Sequence, residues 1–424
     1  MTRFATLTLA AASLALALAA TTAHAQFTFE PVVSSGDLIP GTGGNFNPFR
    51  FGAPAINGTT LVFEGGQSAS PFTTGYYASF NGGPIQRIVD SAQIDPGGVS
   101  PFGGFGEPAV SGDNFLVEAE FNGEDALYIF DGTTFTPFVV EGQPIPGGTA
   151  TVTDIDISRG RLSGQNVAYE AGLSDGTRGV YTYINGITQL AAGTTTPTPS
   201  PDTPGSFFTN FDEPQLSPDG KVVFEATSSG FRGVYTDLTG PVTKVADQND
   251  IVPGGTGTFD IFDDAWIEGN DIFFEAGGTD GENGLYASFN GGPLVNLVDN
   301  NTPVPGGTGN FSDIRADTIV YLDGVVAFDG SDSVSGDVGI YFLDILGGGD
   351  LTKLIADGDI LDGKEVEGIR FEKNGFDGQN LAFVARFTDG SRTVYTTVIP
   401  EPSSLALLAL GGVTLLRRRP APIA

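Results

Sequence analysis

Six acidic residues recur at nearly even spacing along this 424-residue chain, and most of its usable side-chain chemistry lies in them. Each follows two apolar residues and precedes a small one: Val62-Phe63-Glu64-Gly65, Leu116-Val117-Glu118-Ala119, Ala168-Tyr169-Glu170-Ala171, Val223-Phe224-Glu225-Ala226, Phe273-Phe274-Glu275-Ala276 and Ala327-Phe328-Asp329-Gly330. A seventh copy, Ala382-Phe383-Val384-Ala385, has valine in the acidic slot. A ring of carboxylates could bind cations or polarise a sugar, and two of them suffice for glycoside hydrolysis. Sixfold recurrence argues instead for a structural role, each acid accepting backbone hydrogen bonds from the neighbouring unit. A catalytic site is asymmetric, so no enzyme activity is expected.

Little else offers chemistry. The chain has no cysteine, which removes disulfides, thiolate nucleophiles and Cys-ligated zinc. Its one histidine, His24, lies in the N-terminal leader, so imidazole acid/base chemistry, serine triads and most transition-metal sites go too. Oxygen-rich loops at Asp175-Gly176, Asp280-Gly281-Glu282, 329–335 and Asp389-Gly390 would suit Ca²⁺. None has the full D-x-D-x-D-G spacing, 357–362 matches it only in part, and solvated turns account for them. No cofactor is expected, with Ca²⁺ as the alternative.

The elements that must position these acids repeat with them. The seven copies sit 50 to 55 residues apart. A turn glycine precedes each, at Gly58, Gly112, Gly164, Gly220, Gly269, Gly324 and Gly378, four of them in Asn-Gly or Asp-Gly hairpin dipeptides. A tyrosine follows each, at Tyr77, Tyr128, Tyr181, Tyr235, Tyr286, Tyr341 and Tyr395. A Pro-Gly-type loop recurs near Pro40, Pro96, Pro146, Pro204, Pro253 and Pro305. Each unit reads as four short strands; in the fourth these fall near 214–216, 222–226, 233–238 and 242–246. The acid is expected to end strand two, and the tyrosines and Trp266 to fill the core between units. The fold predicted is all-β, a seven-bladed β-propeller of repeats about 53 residues long. A β-solenoid or a string of small β-domains is the alternative. The seventh unit lacks a fourth strand, and a surplus strand at 27–33 should complete it and close the ring.

Both chain ends carry signals of another kind. Arg3, an apolar run and Ala23-His24-Ala25 form a signal peptide over 1–25, with cleavage after Ala25. At the other end stand Pro400-Glu401-Pro402, an uncharged run at 405–416 and Arg417-Arg418-Arg419. Together these resemble the PEP-CTERM sorting signal of exported bacterial proteins. The run is about 20 Å long as a helix, short for a ~30 Å bilayer core, and the arginines would hold its end in the cytoplasm. The expected domains are thus 1–25, the propeller at 26–399, and a sorting tail at 400–424 with a short membrane helix. The resemblance implies a membrane exosortase as partner, tethering to the inner membrane before processing, and then release to the cell surface or exterior. The loop at Ile251-Val252-Pro253-Gly254-Gly255-Thr256-Gly257, with the Phe-Glu-Ala strand and Gly-x-Tyr that follow it, is similar to exported repeat proteins bearing this same tail, which implies no defined activity. Ser217-Pro218-Asp219-Gly220-Lys221-Val222-Val223-Phe224 is similar to a TolB-type propeller blade and supports architecture only.

Without the two ends the chain keeps 15 basic against 50 acidic residues, a net charge of −35. Nucleic acid is excluded as a partner, and polyanionic polysaccharide is repelled unless cations bridge it. With 40% apolar residues and 33 Phe a large core still forms. The function expected is a non-catalytic surface or matrix protein that binds a polymer such as exopolysaccharide, or a surface protein. The alternatives are a small-ligand or Ca²⁺-dependent glycan-binding module and a carboxylate-based glycan-processing enzyme.

Overall fold

A computed structural model describes residues 27–399 apart from 68–71, 97–100, 122–123, 147, 157–159, 200–204, 229 and 316–317. The expected signal peptide with Ala23 and Ala25, and the tail with Pro400, Glu401, Pro402 and Arg417, Arg418 and Arg419, lie outside the described residues. No helix among the described residues is long and apolar enough to cross a membrane.

The described residues form seven antiparallel sheets in sequence order, five of four strands and two of five. They are the blades of a propeller. Blade 4 shows the plan, with strands Phe208–Leu216, Val222–Ser228, Phe231–Thr236 and Thr243–Asp247 paired in order. Each glycine predicted to turn strand one into strand two has positive φ, from 56° at Gly269 to 99° at Gly378, where a side chain would be strained. The same turns latch blades together. Gly112 N donates to Asn57 Oδ1 of the preceding blade at 2.8 Å, and Gly164 N to Ser111 Oγ at 2.8 Å.

The recurring tyrosines explain themselves in cross-strand register. Phe63 faces Tyr77, Phe224 faces Tyr235, Phe274 faces Tyr286 and Phe383 faces Tyr395. A further phenylalanine meets the tyrosine edge-on, as Phe208 does Tyr235 at 4.9 Å and Phe259 does Tyr286 at 5.1 Å. Such pairs add about 0.5–1.5 kcal/mol beyond the area they bury. All seven tyrosines and Trp266 are buried.

Blade 7 consists of Lys364–Arg370, Asn380–Phe387 and Arg392–Val398, and its fourth strand is Glu30–Ser34 from the other end of the chain. Glu30 faces Thr396 and Ser34 faces Thr393. Phe29 packs on Phe383 at 5.8 Å and Phe27 on Phe342 at 5.5 Å. The predicted closure is therefore present, with the strand shifted a few residues toward Ser34. Deleting residues through Ser34 should cost about 3–6 kcal/mol from lost packing and ladder bonds and expose a strand edge. A lower unfolding midpoint together with aggregation on size-exclusion chromatography would show it; an unchanged midpoint would refute it.

Candidate functional site

The six ring acids do not end their strands. Strand two continues past each, to Gln67, Phe121, Leu173, Ser228, Gly278 and Asp332. The small residue after each acid lets pairing with strand three run on, so the carboxylates sit in mid-strand and not at a loop mouth. Glu170, Glu225, Glu275 and Asp329 are buried, and Glu64 and Glu118 half-buried.

For three of them a side chain of strand three in the same blade is the partner. Arg178 Nε donates to Glu170 Oε1 at 2.8 Å, Arg232 Nε to Glu225 Oε2 at 2.9 Å, and Asn283 Nδ2 to Glu275 Oε1 at 2.9 Å. These donors stand seven or eight residues after the acid, a regularity the sequence carries openly. Strand one supplies a second acid opposite the first: Asp156 faces Glu170, Asp212 faces Glu225 and Asp263 faces Glu275.

Burial and this acid excess raise the carboxyl pKa values. Burial lifts Glu170 to about 7 against the pull of Arg178, and Glu118 to about 7 with help from Asp156 and Asp125. It lifts Asp329 to about 7, opposed by Thr318 and Arg315, and Glu225 to about 8, opposed by Arg232. Glu275 reaches about 9, because burial and the charges of Asp263, Asp264 and Asp313 outweigh its bond from Asn283. Glu64 is raised by burial, moderated by Arg370 and Arg50.

The middle of the ring holds a hub built from other residues. Lys373, fully buried in the turn between the first two strands of blade 7, reaches Asp264 Oδ1 of blade 5 at 2.8 Å and Glu213 Oε2 of blade 4 at 3.1 Å. Contacts from blade 7 to blades 4 and 5 can be made only across the central axis. Glu213 and Asp264 sit at matching bulges of strand one with φ of 47° and 54°. A left-handed residue there turns the acid out of the ladder and toward the axis. Asp264 Oδ2 also accepts from Ile319 N of blade 6 at 2.6 Å. Beside them Arg161 of blade 3 lies over the Trp266 ring at 5.3 Å and pairs with Glu268.

One trio among the described residues has metal-ligand spacing. Glu213, Glu225 and Asp263 each place a carboxylate oxygen within 4.8 Å of the others. That span matches two oxygens on opposite sides of a Ca²⁺ at 2.3–2.6 Å. Lys373 and Arg232 already bring positive charge to two of the three.

Comparison with known proteins places the chain. Residues 115–406 match the model of a family described as a family of unknown function (DUF7453). The chain belongs to that family. Residues 398–419 match the PEP-CTERM protein-sorting motif, which implies recognition by a membrane exosortase. No curated protein matches the sequence. Among solved structures it is similar to a puromycin-hydrolyzing peptidase of Mycobacterium tuberculosis, at 13% identity and TM-score 0.46, over 80% of this chain and 49% of that one. It is similar to a prolyl endopeptidase at 13% identity and TM-score 0.48, over 84% and 47%. It is also similar to the β-propeller domain of the Trilobed protease from Pyrococcus furiosus, at 10% identity and TM-score 0.48, over 82% and 95%. The chain spans about half the length of the two peptidases.

Proposed function

We propose that this DUF7453 protein is an exported, non-catalytic binding propeller, which an exosortase releases from the inner membrane to the cell surface or extracellular matrix. The observation that carries the reading is where the sorting motif starts. It begins at residue 398, the end of the last strand of blade 7. Ile399 is buried and its N–H donates to Gln379 O at 2.7 Å, so the chain is pinned up to the residue before Pro400. Cleavage beyond that point leaves every blade strand paired. The ring acids support a non-catalytic role, since Arg178, Arg232 and Asn283 already hold three of them.

Changing Pro400 and Pro402 to Ala together should leave full-length protein in the membrane fraction and abolish the released form. Unchanged processing and release, read by immunoblot of cell fractions, would sink the sorting part of the proposal. A second reading, a Ca²⁺-dependent glycan-binding module, is favoured by the spacing of Glu213, Glu225 and Asp263. A glycan array probed with and without Ca²⁺ separates it from the first.

A further inference from the structure

Blade 7 departs from blades 3 and 4 in one place, and among the described residues the departure leaves an arginine without the carboxylate it pairs with there. In blade 3, Arg178 stands opposite Gly172, and its guanidinium meets Glu170 of strand two at 2.8 Å and Asp154 of strand one. In blade 4, Arg232 stands opposite Thr227 and meets Glu225 at 2.6 Å and Asp212 at 3.4 Å. Arg392 holds the same register in blade 7, opposite Arg386 and two residues from the Val384–Val394 pair.

There each carboxylate has been replaced. Val384 stands for the glutamate. Gly368 faces Arg386 as Asp154 faces Gly172, and Arg370 faces Val384 as Asp212 faces Glu225. The result is a cleft of about 380 Å³ between blades 6 and 7, lined by Arg315, Arg370, Arg386 and Arg392 with Asp357 and Glu367. Arg370 and Arg386 have acids of their own, Glu107 at 2.7 Å and Glu367 at 3.7 Å. Arg392 is half-buried, and burial together with the charges of Arg386 and Arg370 lowers its pKa. Four guanidinium groups converge although the chain has 51 acidic residues against 19 basic ones, so a scarcity of native carboxylates is not the cause.

We propose that this cleft binds a small carboxylate, whose oxygens take the place that Glu170 and Glu225 fill in blades 3 and 4. A guanidinium makes strong charge-assisted hydrogen bonds to a carboxylate, and blades 3 and 4 show that this position makes such a pair, Nε and Nη2 meeting one oxygen of Glu170 and of Glu225. The cleft is at the small end of ligand sites. Asp357 and Glu367 add acceptors suited to hydroxyl groups, which points to a hydroxylated monocarboxylate of the sugar-acid class. A polyanionic chain is disfavoured by the net charge outside the cleft.

The inference deepens the binding role proposed above. Its assay uses purified protein, so it can fail while sorting stands, and the reverse. Isothermal titration of the full-length chain in detergent should show glucuronate binding with one site, and no binding of glucose. Arg392→Gln should weaken glucuronate about ten- to a hundredfold, the effect of losing a charge-assisted pair. Val384→Glu should do the same by supplying the missing carboxylate from within, and should leave the melting temperature unchanged or higher. Absence of glucuronate binding, equal binding of glucose, or wild-type affinity in both variants would overturn the proposal. So would tighter binding of inorganic phosphate or of an oligoglucuronate, which would assign the cleft to anions in general or to a polymer.

Discussion

Replacing Lys373 with methionine should destabilise the propeller by about 3–5 kcal/mol, the cost of leaving buried charges without a partner. The ammonium is completely buried, and Asp264 and Glu213, which it joins at 2.8 and 3.1 Å, are nearly so. Methionine fills much the same volume, so the loss would be electrostatic and not a cavity. That can be checked by removing the charges as a set, because replacing a whole buried ionic group often costs little. Adding Glu213→Gln and Asp264→Asn to Lys373→Met should recover at least half of the loss, since an asparagine oxygen can still accept from Ile319 N. Urea unfolding followed through Trp266, the only tryptophan and itself buried beside the hub, reads both variants. A loss below about 1 kcal/mol for the single variant would mean that the hub does not hold the blades together.

The hub was not legible in the sequence, and the reason is physical. Lys373 lies in Glu372-Lys373-Asn374-Gly375, a run with the composition of a solvated turn, and its partners are 109 and 160 residues away. Nothing local marks Glu213 or Asp264 as left-handed, because neither is glycine. The propeller itself was legible, because turn glycines and strand-three tyrosines are stated seven times and the closing strand follows from counting. The ring acids were legible as a pattern but misplaced by three residues relative to the strand ends, because small residues after them read as a turn when they continue the ladder. Val384 was visible as a missing acid. Its meaning depends on Arg392, Gly368 and Arg370 meeting around it, which only register reveals. In a repeat protein the shared positions build the scaffold, and particular chemistry belongs where one repeat breaks the rule.

Glu275 gives the second large effect, and its sign is set by linkage. Its carboxyl titrates near 9 in the folded chain against 4.5 as its ordinary value. Between those limits the folded state keeps a proton that the unfolded state has lost. Raising the pH therefore favours unfolding, and stability present at about pH 5 is lost as pH climbs toward 9. Glu118, Glu170, Asp329 and Glu225, raised to about 7 or 8 mainly by burial, bend the curve the same way. Glu275→Gln removes one titration while keeping an oxygen to accept from Asn283 Nδ2. Little change is expected near pH 5, where both side chains are neutral. Near pH 9 the variant should exceed the parent by about 2–4 kcal/mol, discounted from the full shift for protein relaxation. Unfolding midpoints across this pH range decide the matter. A parent whose stability rises from pH 5 to pH 9, or a Glu275→Gln curve parallel to it, would show that the ring acids are ionised throughout and that their charge is balanced by solvent or by ions.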